Sequence, residues 1–173
     1  MNVKNIFLFI LPAFILITFF LALNKNNEYN TQNLIGNQLS DFELKTLDNE
    51  KIIRSSDLKI NKFTLINFWA SWCAPCRTEH NYLILLKKQK QLKILGINFK
   101  DKKIQALNFL EELGNPYYYL AKDKNGKASI EFGVYGIPES ILIDRNLNII
   151  MKFIGPLNEE DYKKIIQYIN NNE

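Results

Sequence analysis

Phe68-Trp69-Ala70-Ser71-Trp72-Cys73-Ala74-Pro75-Cys76-Arg77 carries the only two cysteines of the chain, separated by two residues, at the end of an apolar run. If the run before them is a strand and the segment after them a helix, Cys73 stands at a helix N-terminus. There, unpaired backbone N–H groups and the helix dipole favour a negative charge, and a thiolate is such a charge. A lowered thiol pKa raises the thiolate fraction near neutral pH, and a second thiol one turn later can close a disulfide on the first. The pattern is that of a reversible two-electron switch.

Other readings of the pair stand beside this one. A purely structural disulfide would close so short a loop that it contributes only about 2 kcal/mol by loop-closure entropy. A zinc site asks for about four ligands, and the chain offers two cysteines and one histidine, His80, with carboxylates to complete the set. Two incidental thiols at this spacing are the third reading. The Cys-x-x-Cys pattern beside alternating strands and helices points first to redox chemistry.

Working outward, Phe63 to Trp69 is β-branched and aromatic with little polar alternation, which predicts a central strand buried on both faces. The helix that begins at the cysteines carries Tyr82, Leu83, Leu85 and Leu86 and ends in Lys87-Lys88-Gln89-Lys90, cations where the dipole favours them. Leu92 to Phe99 reads as the next, parallel strand. Asp101 is placed to cap a helix with Ile104, Leu107, Leu110 and Leu113 at helical spacing, stopped by Gly114 and Pro116. A short strand over Tyr117 to Ala121, a turn at Lys124-Asn125-Gly126 and a short helix over Ala128 to Phe132 follow. Ser140 to Ile143 and Asn148 to Phe153, joined by Asp144-Arg145-Asn146, read as an antiparallel hairpin. Asn158 caps a last helix with Glu159, Glu160 and Asp161 in its first turn and Tyr162, Ile165, Ile166 and Ile169 on one face. Upstream, Phe42, Leu44 and Leu47, then Asp48-Asn49, then Ile52-Ile53 signal a small hairpin, and Ser55-Ser56-Asp57 a capped helical turn. The fold class is α/β: a central mixed sheet flanked by helices, in one domain without repeats.

The N-terminus differs in kind. Ile6 to Leu23 contains no charge and is dominated by Phe, Leu and Ile, with Lys4 before it and Lys25 after. It is near the lower length that spans a bilayer core. Around Leu21-Ala22-Leu23 the small residues of a signal-peptidase site are not in place, so an uncleaved anchor is expected. The boundaries read as 1–5 a cytoplasmic N-terminus, 6–23 a transmembrane anchor, 24–37 a polar linker and 38–173 the folded domain. The 173 residues are 47% hydrophobic and 13% aromatic, enough for a core, and the net charge of +4 is spread over scattered Lys and Arg. Nothing here predicts a nucleic-acid partner, a metal centre or a bound cofactor.

Trp72-Cys73-Ala74-Pro75-Cys76 resembles the active site of the thioredoxin superfamily. Three more segments sharpen the likeness: Gly96-Ile97-Asn98-Phe99-Lys100-Asp101, Leu113-Gly114-Asn115-Pro116-Tyr117, and Gly133-Val134-Tyr135-Gly136-Ile137-Pro138-Glu139-Ser140 with Leu142-Ile143-Asp144. Together they resemble the cytochrome c maturation thioredoxins of the CcmG or DsbE type, over roughly residues 34 to 170. The resemblance implies a thioredoxin-like fold on a single-pass inner-membrane anchor, with the domain on the periplasmic side. It also implies reduction of the disulfide in apocytochrome c haem-attachment motifs and re-reduction by a membrane dithiol donor. Two rivals remain: a general periplasmic disulfide reductase or oxidant, since direction is set by reduction potential, and a copper metallochaperone, since soft thiolates suit Cu(I).

By the same resemblance Cys73 is the exposed, attacking thiol, Cys76 the buried, resolving one, and the two form the redox-active disulfide, flanked by Trp72 and Pro75. Asn67 stands where thioredoxins carry a buried aspartate, which turns attention to Glu79, one helical turn after Cys76, and to Glu139 as supporting acids. Each has an ordinary alternative, Glu79 as a solvated helix carboxylate and Glu139 as a strand-end surface charge. Ile137-Pro138 matches the superfamily's substrate loop with its cis peptide bond, although an X-Pro bond taken alone favours trans. Trp69 and Tyr117 to Tyr119 are expected in packing, and His80 on a helix surface.

Overall fold

The computed structural model describes residues 3–23 and 34–172. They fall in two separate units, divided near residue 30.

The first unit holds helix α1, Val3–Leu23. Its side chains are described over 10–22, and the large apolar ones, from Ile10 through Phe14, Leu16 and Phe19 to Leu21, are all more than half exposed on every side of the helix. Among the described residues no helix is long and apolar enough to cross a membrane. Most of the expected linker lies outside the described residues. Its end does not behave as a linker: the Gly36 N–H donates to Ile149 O at 2.8 Å and Asn37 O accepts from the Ile149 N–H at 2.9 Å. Residues 34–37 are therefore part of the domain.

The second unit is built on a five-stranded sheet. The expected small hairpin forms first, as β1 (Glu43–Lys45) and β2 (Ile52–Arg54), followed by the helical turn α2 (Ser55–Leu58). β3 (Phe63–Trp69) is buried at every residue and lies at the centre of the sheet. It pairs in parallel with β4 (Leu92–Phe99) and antiparallel with β6 (Glu139–Asp144). The helix α3 (Ala74–Leu86) connects β3 to β4, and α4 (Lys103–Leu113) connects β4 to β5 (Tyr119–Asp123). After α5 (Lys127–Glu131), β6 and β7 (Ile149–Ile154) make the predicted hairpin, and α6 (Glu159–Asn171) closes the fold.

Alternation along β3 divides the core in two. Phe63, Leu65 and Trp69 pack with Leu83 and Leu86 of α3, Phe109 and Leu110 of α4 and Ile165 and Ile169 of α6. Ile66 and Phe68 pack on the other face with Leu44, Ile53, Leu58, Ala128 and Phe132. Asn67 thus faces α3, and its strand partners there are Gly96 and Ser140.

Two local expectations are corrected. Asp101 does not cap α4; Lys102 occupies that position without a side-chain bond. Nor is Ile104-Leu107-Leu110-Leu113 the buried stripe. Ile104 is 73% exposed and Leu107 44%, while Ala106, Phe109 and Leu110 are buried. The apolar spacing fitted two faces of the helix, and the larger Phe109 is the one set against Trp69.

Candidate active site

β3 ends at Trp69 because the chain must turn into α3, and the turn is fixed from a distance. Asp101 Oδ2 accepts the Ser71 N–H at 2.6 Å and Oδ1 accepts the Ser71 hydroxyl at 2.9 Å. Asn98 Nδ2 steadies the same carboxylate at 3.0 Å. Two residues on, Cys73 is the N-cap of α3, with Pro75 in the first turn, where a missing N–H costs nothing. Cys73 and Cys76 are bonded, S–S 2.05 Å, with Cα atoms 5.3 Å apart. The Cys76 N–H points at Cys73 Sγ, 3.2 Å away. A sulfur so placed faces the positive end of the helix, the environment that favours a thiolate once the bond is reduced.

The expected contrast in burial between the two cysteines is small. Cys73 is 4% exposed and Cys76 2%, because the bond draws both sulfurs into the first turn of α3. Trp72, Ala74 and Pro75 beside them are exposed. The Trp72 ring, 57% exposed, is anchored by its indole N–H to Lys100 O at 3.2 Å.

Glu79 is buried, not solvated. Its Oε1 accepts from Asn67 Nδ2 at 2.7 Å and its Oε2 from the Leu157 N–H at 2.8 Å. Burial raises its pKa to about 7, and the two donated hydrogen bonds hold the rise down. Asn67 is oriented in turn by Tyr117, whose hydroxyl donates to Oδ1 at 2.9 Å, while Nδ2 also reaches Ser140 Oγ at 3.0 Å. The Tyr117 ring lies on Trp69 and over Gly96, where a Cβ would come within 2.5 Å of it. Burial pushes the Tyr117 hydroxyl pKa up, and the Glu79 charge adds to the effect. Asn67 and Tyr117 are functional candidates whose joint role the sequence hid, since the residues linked are 50 apart.

His80, expected on the surface, is 2% exposed. Its Nε2 lies 2.8 Å from Gly114 O and its ring meets Phe109 edge-on. Burial lowers its pKa, opposed by the bond to Gly114 O and helped by the Arg77 charge. Its helical position one residue after Glu79 turns it to α4 rather than to solvent.

Glu139 is likewise buried, at 2% exposure, and not a surface charge. It follows the Ile137-Pro138 bond, which is cis. Because Glu139 pairs with Phe68, the Ile137-Pro138 segment reaches the same end of the sheet at which β3 gives way to the cysteine turn. The site thus combines a disulfide at a helix start, a buried acid one turn further along that helix, and a loop at the sheet end.

The Redoxin family profile matches residues 34–166. The thiol:disulfide interchange protein HelX of Rhodobacter capsulatus is 42% identical over 133 residues, 77% of this chain and 75% of its own. The thiol:disulfide interchange protein DsbE of Escherichia coli K12 is 40% identical over 135 residues, 78% of this chain and 72% of its own. In fold, the chain is similar to the crystal structure of a thiol:disulfide interchange protein of the thioredoxin family from Chlorobium tepidum TLS. There the TM-score is 0.63, with 24% identity over 76% of this chain and 94% of that one.

Proposed function

The chain belongs to the redoxin family, and from that premise we propose that it is a thiol:disulfide oxidoreductase that reduces the disulfide of apocytochrome c haem-attachment motifs. The reading places it on the periplasmic side of the inner membrane, held by α1. The observation that carries it is the cysteine pair itself, closed as a disulfide with Cys73 at the head of α3. The named relatives support interchange chemistry, and the resemblance to cytochrome c maturation thioredoxins supports the substrate.

In the reduced protein the Cys73 thiolate attacks one sulfur of the substrate disulfide. A mixed disulfide forms, the substrate S–S bond breaks, and the released substrate thiolate is protonated by solvent. Cys76 then loses its proton and attacks Cys73 Sγ, which expels the second substrate sulfur and forms the bond present in this structure. Two electrons pass to the substrate. Glu79, on α3 one turn after Cys76 and with a pKa of about 7, is suited to accept the Cys76 proton. The chain has no third cysteine, so an outside dithiol returns the electrons. For the anchor, the support is an 18-residue uncharged run, 6–23, with large apolar side chains exposed all round α1 over 10–22.

The test is reduction of a synthetic peptide bearing an oxidised Cys-x-x-Cys-His motif, followed by mass spectrometry. The reduced protein should convert it stoichiometrically. Cys76→Ser should accumulate the mixed disulfide through Cys73, and Cys73→Ser should form none. Adducts on the Cys73→Ser variant instead would reverse the roles. Tight copper binding without exchange would replace the reading with a metallochaperone.

A further inference from the structure

β6 and β7 hold a charged pair for which the exchange chemistry above has no use. Glu139, the first residue of β6, is 2% exposed, and the side chain of Lys152 on β7 is 1% exposed. Lys152 pairs with Ile141, two residues after Glu139, so the two charges are diagonal neighbours on one face. Taking two ions out of water is repaid only where each finds further polar partners. Here those partners all belong to one segment. Glu139 Oε1 accepts the N–H groups of Tyr135 at 2.9 Å and Gly136 at 3.1 Å. Its Oε2 lies 3.2 Å from Lys152 Nζ, an ion pair without a directed hydrogen bond. The directed bond of the ammonium goes to Gly133 O, at 2.5 Å. On the far side the Gly155 N–H donates to Pro138 O at 3.0 Å.

The segment 133–138 is therefore tied at its start, middle and end: Gly133 and Val134 donate back to Ile130 O at 2.9 Å and Ser129 O at 2.8 Å, and the ties at Gly133 O and at the Tyr135 and Gly136 amides run through the pair. We propose that Lys152 is a positioning residue: with Glu139 it holds the 133–138 loop in the shape that receives the substrate polypeptide. Lys152 lies in none of the motifs that carry the family resemblance. Glu139 Oε1 is committed to the loop amides and Oε2 lies beside Lys152, so Glu139 holds the loop. This rests on the reading of the chain as an oxidoreductase acting on a polypeptide disulfide.

Lys152→Met alone leaves Glu139 as an uncompensated buried charge, so the test uses Lys152→Met combined with Glu139→Gln, beside Lys152→Arg. The substrate is the same oxidised Cys-x-x-Cys-His peptide, and backbone amide exchange is followed at Tyr135 and Gly136. In the double variant KM should rise about tenfold with a smaller change in kcat. The two amides should exchange about tenfold faster or more. Lys152→Arg, which keeps a buried donor cation, should restore both. A folded double variant with wild-type KM and wild-type amide protection overturns the proposal, even if it melts earlier. If the wild-type protein does not reduce the peptide, the functional reading fails, and the amide arm alone then decides whether the pair holds the loop.

Discussion

Glu79 gives up its proton near pH 7 in the folded chain, against an ordinary value of 4.5, so folding takes up a proton between those values. Its contribution to stability is fully present below about pH 4.5, falls as pH rises and levels off above about 7, a change of about 3 kcal/mol at roughly 1.4 kcal/mol per unit. Glu79→Gln should flatten that slope in urea melts run from pH 5 to 8, whatever it does to absolute stability. An unchanged slope would mean that another group titrates there. The neighbouring contact at Gly96 is steric. The Tyr117 ring cannot retreat from an added methyl, because it stacks on Trp69 and its hydroxyl is bonded to Asn67. Gly96→Ala should cost about 1–3 kcal/mol and shift the Trp69 fluorescence, measured against an exposed control such as Gly136, where a Cβ meets nothing within 4 Å.

At the scale of elements, two helix starts show what a sequence can and cannot disclose. Asn158 caps α6 by accepting the N–H groups of Glu160 at 2.8 Å and Asp161 at 3.1 Å. Every partner is within three residues, so the pattern was legible. Asn158→Ala should lower stability by about 1 kcal/mol. Asp101 has the same local signature before α4, yet beyond the adjacent Lys102 N–H its carboxylate reaches back to Ser71, 30 residues earlier, and not into the first turn of α4. Only the β3-β4 pairing, which sets Trp69 beside Asn98, brings them together. Asp101→Ala should therefore act on the cysteine turn. It should cost about 1–3 kcal/mol for the unsatisfied Ser71 N–H and speed amide exchange at Ser71, with α4 itself intact by circular dichroism. Frayed α4 signals with Ser71 still protected would favour the capping role. The same limit explains His80 and Glu79: each polar side chain meets partners far away in the chain, and local composition reads such residues as surface.

For the whole molecule, the order of elements and the central place of β3 were readable because each rests on a pattern inside one segment: a seven-residue apolar run, a Cys-Pro helix start, a hairpin turn. What joined those segments, above all the Tyr117-Asn67-Glu79 chain, required the sheet order β5-β4-β3-β6-β7, and the Glu139-Lys152 pair required the register of the β6-β7 hairpin. The membrane attachment is a question at this scale too. Large apolar side chains exposed on every side of a helix are poorly placed in water, where each buried CH₂ is worth about 0.8 kcal/mol, and Ile10 through Leu21 present nearly nothing else. The domain from residue 34 onward carries its own two-sided core. The full chain should therefore remain with vesicles through alkaline carbonate extraction. A chain beginning at residue 31 should stay in the supernatant and still reduce the test peptide. If the full chain is released by carbonate, α1 does not span the bilayer; if the shortened chain loses exchange activity, α1 does more than hold the domain in place.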